Sequence, residues 1–75
     1  MDNTRLQKVV DYVNNRIANK QLCQLAVVKG FLMGPNCIAP NEVNEVVTTL
    51  EKMGYITDRY INLYNEDVIR VYSGD

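Results

Sequence analysis

Residues 40–53 constrain the fold more than any other part of this chain. Pro40 stands where a first helical turn tolerates a missing N–H, and Glu42 and Glu45 follow where acidic side chains suit the helix dipole. Val43, Val46, Val47, Leu50 and Met53 then recur at helical spacing and make one apolar stripe. Gly54 arrives as the residue past the end, in the left-handed conformation that Gly adopts without strain. Tyr55 can fold back over the last turn.

Beyond Gly54 the period drops from about 3.6 to about 2. In Tyr60-Ile61-Asn62-Leu63-Tyr64 and again in Val68-Ile69-Arg70-Val71-Tyr72, apolar residues alternate with polar or amphipathic ones. Asn65-Glu66-Asp67 between them has turn chemistry, so a hairpin is expected. Its inward face would be Ile61, Leu63, Ile69 and Val71. Its outward face would be Tyr60, Asn62, Tyr64, Arg70 and Tyr72. Two strands alone are marginal in water, so the hairpin must lie against helices.

Upstream, Leu6, Val9, Val10, Val13 and Ile17 form an amphipathic stripe over residues 4–19, with Asn3 or Thr4 placed to cap it. A second helix is expected from about Gln21 to Met33, with Leu22, Leu25, Val28 and Leu32 on one side. Gly30 weakens it, and Gly34-Pro35-Asn36 ends it as a turn. With no repeat, linker or low-complexity tract, residues 1–75 read as one domain.

Composition narrows the chemistry. Apolar residues make up 47 % and charged residues 23 %, the balance of a globular domain. The apolar stretch 25–34 is interrupted by Lys29 and falls well short of the roughly 20 residues that span a bilayer. The N-terminus lacks the apolar core of a secretory signal, so the cytoplasm is the expected compartment. The chain has no histidine, which removes the usual base near neutral pH and the commonest zinc ligand. Cys23 and Cys37 stand fourteen apart in sequence, matching neither a redox pair nor half a zinc site, and read as reduced packing thiols. No nucleotide-binding glycine motif or calcium loop occurs. Glu42 and Glu45 share an exposed helix face with no nucleophile or base beside them. No enzyme activity, metal or cofactor is therefore expected.

Three helices followed by a hairpin is the order of a winged helix-turn-helix domain. Ile38-Ala39-Pro40-Asn41-Glu42-Val43, then Val46-Val47, then Leu50-Glu51-Lys52-Met53-Gly54-Tyr55-Ile56 resemble the recognition helix of small bacterial or phage winged-helix regulators. The resemblance covers about residues 20–72 and is sharp only over 38–56. Ala39 or Asn41 stands where the family often has a Ser or Thr cap. The resemblance implies a mainly helical fold of three helices plus a wing, with 40–53 as recognition helix and 60–72 as wing. It also implies a transcription regulator bound to double-stranded DNA, for which a homodimer would double the phosphate contacts.

The residue types on the exposed helix face permit base contact. Asn41 and Asn44 can read adenine, Thr48 can touch a thymine methyl or a phosphate, and Lys52 can neutralise a phosphate. Arg59 and Arg70 could serve from the wing, and Lys20 and Lys29 from the second helix. Charge pulls the other way. The chain carries a net +3 through Gly30 and −4 from Phe31 onward, so the recognition helix and wing fall in the acidic part. The competing expectation is a protein-interaction module, such as a phage protein docked on a host enzyme. Tyr60, Tyr64 and Tyr72 with Arg70 would supply its hot spot.

Overall fold

A computed structural model describes residues 1–30 and 34–74, and within them the N-terminal stripe becomes α1 (Asn3–Ala18). The cap is Asp2, one residue earlier than expected, whose carboxylate accepts the Thr4 N–H at 2.7 Å. Val9, Val10 and Val13 are buried on its inner side. The C-terminal end closes through the Lys20 N–H to the Ile17 carbonyl (3.0 Å) and the Gln21 N–H to the Arg16 carbonyl (2.9 Å). This pair of bonds needs a left-handed residue, and Lys20 supplies it at φ 56°.

The expected helix over 21–33 does not form. Residues Cys23–Val27 are strand β1, followed by the two-residue strand β2 (Cys37–Ile38). Leu32 and Met33 of the anticipated helix lie outside the described residues. The sequence carried both periods here. Leu22, Leu25 and Val28 suit a helix, whereas Cys23, Leu25 and Val27 alternate with Gln24 and Ala26 as a strand does. Tertiary demand settles the choice, because β4 (Asp67–Tyr72) is buried at Val68, Ile69 and Val71 and needs a hydrogen-bonded neighbour on each side. β1 is that second neighbour. A helix there would leave a buried strand edge unpaired.

The segment at 40–53 divides into a 3-10 turn (Pro40–Glu42) and α2 (Val43–Lys52). The Ala39 N–H donates to Glu42 Oε1 at 2.8 Å, so Glu42 reaches back where no hydroxyl cap is available. α2 ends as predicted at Gly54, at φ 95°, with the Gly54 N–H on the Glu51 carbonyl (3.0 Å) and the Tyr55 N–H on the Leu50 carbonyl (3.1 Å).

The C-terminal hairpin exists, but its first strand, β3 (Ile56–Ile61), begins earlier than expected and its connection spans 62–66. Asn62 builds that connection. Its side-chain oxygen accepts the Tyr64 and Glu66 N–H groups, both at 2.9 Å, and Asn65 sits at φ 61°. Leu63, expected inward, is fully exposed in the turn, and Ile61 is 64 % exposed at the strand end. The paired strand is therefore displaced from the alternation that pointed to it.

The sheet order is β2-β1-β4-β3, with β1 parallel to β2 and antiparallel to β4, and β3 antiparallel to β4. Both helices pack on one face. Val9, Val10 and Val13 of α1 and Val43, Val46 and Leu50 of α2 meet Cys23, Leu25, Ile38, Ile69 and Val71 in a single core. Two helices on a four-stranded mixed sheet replace the expected three helices plus wing. Arg5 of α1 donates to the Gly34 carbonyl at 2.8 Å and to the Cys37 carbonyl, tying the segment before β2 to the helix layer. No helix among the described residues is long and apolar enough to cross a membrane.

Candidate binding surface

Strand pairing sorts side chains by face. Residues opposite one another in an antiparallel ladder share a face, and neighbours along a strand alternate. Ile69 and Val71 enter the core, so Arg70 and Tyr72 point to the other side of the sheet. Gln24 and Asp58 lie in register with Arg70, Ala26 and Tyr60 with Val68, and Ile56 with Tyr72. That outer face carries Gln24, Tyr60, Arg70 and Tyr72, and neither helix packs on it. Val68 is buried there yet stands apart from the core cluster.

Its polar groups hold one another in place. Gln24 Nε2 donates to the Tyr60 hydroxyl at 2.6 Å, bridging β1 to β3 across β4. The Arg70 guanidinium lies 4.7 Å from the Tyr72 ring centre, in cation–π range. Asp58 faces Arg70 across the ladder, but no ion pair joins them among the described residues. The Arg70 guanidinium makes no ion pair among the described residues. Tyr64 sits in the exposed turn rather than on this face.

At one end the outer face runs into a groove of about 490 Å³ between the C-terminal end of α1 and the adjoining ends of β1 and β4. Lys20, Leu22, Arg70 and Tyr72 line it, with Ile17 and Val71 toward its floor. Arg16 stands beside it with Nε and Nη2 both donating to the Leu22 carbonyl, at 2.8 and 2.6 Å, which fixes the path from α1 into β1. Cys23 also borders the groove, and burial pushes its thiol pKa up while Arg16 pulls weakly the other way. At 1 % exposure the Cys23 side chain is shielded from solvent.

The residues expected to contact DNA do not all share one surface. Asn41, Asn44, Thr48 and Lys52 are exposed at the 3-10 turn and along α2, on the helix side of the sheet. Arg70 points to the opposite side. Arg59 is engaged with Asp67 through two bonds, Nε to Oδ1 at 3.0 Å and Nη2 to Oδ2 at 2.6 Å. That pair raises the arginine's pKa and holds the Asp67 carboxyl below the ordinary carboxylate range, chiefly through the hydrogen bonds. On α2 itself Glu45 takes the Met1 ammonium at 3.1 Å, which removes one of the carboxylates expected to repel a duplex.

Gln24 and Lys20 gain importance that the sequence does not convey, because its pattern places Gln24 in a helix that is absent and offers Lys20 only as a phosphate contact beside it. The alternation of Gln24 and Ala26 with Cys23, Leu25 and Val27 was the available signal for Gln24. Among the described residues no three His, Cys, Asp or Glu side chains are placed to hold a metal ion. No family model, curated protein or solved structure matches the chain.

Proposed function

We infer that this chain is a small protein-interaction module that docks on a partner protein through the helix-free face of its sheet. The observation that carries this reading is the placement of Tyr60, Arg70 and Tyr72 on one pre-ordered face, opposite both helices. Tyr and Arg dominate interface hot spots because they bury a large area and keep a polar handle. The Gln24–Tyr60 bond and the Arg70–Tyr72 stack restrict these side chains before a partner arrives, which lowers the ordering entropy on binding. A duplex laid along α2 would meet Lys52 as the helix's only cation, with Glu51 beside it.

A photo-crosslinking amino acid at position 60 or 72, compared with one at 48 or 52, tests this in the cells that produce the protein. A discrete protein adduct from 60 and 72, and none from 48 and 52, is expected. Nucleic-acid adducts, or adducts from the α2 positions alone, refute the docking face.

A further inference from the structure

The groove beside the docking face is cationic in a chain that is otherwise acidic. Its described lining holds Lys20 and Arg70 and no carboxylate. Outside it, six Lys and Arg stand against nine Asp and Glu. Neither the Lys20 ammonium nor the Arg70 guanidinium makes an ion pair among the described residues. The rest of the described lining is mostly apolar, with Gln21 and Ser73 as its other polar members, Leu22 half exposed and the Tyr72 ring under the guanidinium.

Lys20 also breaks a rule that the same chain obeys elsewhere. Both helices close with the same pair of carbonyl bonds, and each closure places one residue in the left-handed region. α2 uses Gly54 there, the residue without a Cβ penalty. α1 uses a lysine whose ammonium has no protein partner among the described residues. A local preference set aside in this way is expected where a side chain has work to do on a ligand.

We propose that this groove captures an acidic segment of the partner protein, with Lys20 and Arg70 reading two of its carboxylates and the Leu22–Tyr72 wall taking an apolar side chain between them. This rests on the docking reading and names the partner's chemistry. The arginine offers a carboxylate its planar fork, already oriented by the ring beneath it, and the lysine offers a point charge on a flexible stem. Two cations suit a short acidic segment. A nucleic-acid strand brings a charge at each phosphate, and beyond the groove it would run onto Asp58 and the acidic remainder of the surface.

The probe is a fluorescein-labelled dodecapeptide in which Asp and Glu alternate with Leu and Gly, followed by anisotropy at low and high salt. Binding by the unaltered protein that weakens about tenfold as salt rises is expected. Arg70→Gln and Lys20→Gly should each weaken it several-fold, while Lys8→Gln, on the exposed side of α1, leaves it unchanged. Lys20→Gly removes the side chain without a folding penalty, so a melting temperature equal to or above that of the parent assigns the loss to the groove. Failure to bind the peptide at low salt overturns the proposal. So does equal weakening by Lys8→Gln, tighter binding of a twelve-nucleotide thymidine strand, or occupancy of the groove by a second copy of the chain in sedimentation. If crosslinks at 60 and 72 capture a partner whose adduct is indifferent to Lys20 and Arg70, the acidic segment falls and the docking face stands. If neither crosslink nor peptide binding is seen, both fall.

Discussion

Exchanging the residues at the two helix closures should move stability in opposite directions. An L-residue in the left-handed helical region costs roughly 1–2 kcal/mol, and Lys20 occupies it at φ 56°. Lys20→Gly relieves that cost but gives the unfolded chain about 0.4–1 kcal/mol of extra entropy to lose. A net gain of about 0.5–1 kcal/mol remains, which for a domain of this size raises Tm by roughly 2–8 °C. At Gly54 an added Cβ would meet no atom within 4 Å, so Gly54→Ala meets no clash. Only the backbone objects. Its φ of 95° lies outside the left-handed well near 50–70° that other residues use. The Ala variant should lose about 1 kcal/mol after the unfolded-state term is subtracted, and melt roughly 4–8 °C lower. Thermal melts followed by circular dichroism, with urea titrations to check that the m-value is unchanged, measure both. A lowered Tm for Lys20→Gly would refute the reasoning, because it would mean that the lysine side chain itself holds the fold.

Leu50→Ala empties a fully buried position where α2 meets the sheet, and should cost about 2–5 kcal/mol. That is a large share of the roughly 4–11 kcal/mol a 75-residue domain possesses, so denaturant melts should place the variant near its unfolding threshold. The Asp67 carboxyl titrates below its ordinary value because Arg59 stabilises the charged form. The pair therefore favours the folded state at pH above about 4, and that contribution fades as pH falls through the depressed value. Acid titration of Asp67→Asn should accordingly show a shallower loss of stability below pH 4 or so than the parent; identical curves would exclude the linkage. A thiol reagent should modify Cys37, which is only partly buried, in the native protein and reach Cys23 only on unfolding. Two thiols reacting together would show that the groove end of β1 opens freely.

Much of the architecture could be read one segment at a time. Both helices that form have their apolar stripes where the spacing put them, since Val9, Val10 and Val13 and Val43, Val46 and Leu50 can all be buried only on one side of a helix. The stop at Gly54 and the alternation in Val68–Tyr72 were equally local. Tyr60, Arg70 and Tyr72 share the face that alternation assigned to them. Tyr64 does not, because Asn62 closes the turn earlier and lifts residues 62–66 out of the ladder.

Residues 21–30 were not legible in this way. Leu22, Leu25 and Val28 satisfy a helical period and Cys23, Leu25 and Val27 a strand period, so local pattern could not separate the two. Only the need of β4 for a second hydrogen-bonded neighbour made the segment a strand. With β1 came the four-stranded sheet, the outer face and the groove that joins Lys20 to Arg70 across fifty residues of sequence. Sequence alone determined what each amphipathic segment must hide, because periodicity is a property of near neighbours. Which face was left open, and which distant cations it shares, depended on strand pairing, which no window of neighbouring residues contains.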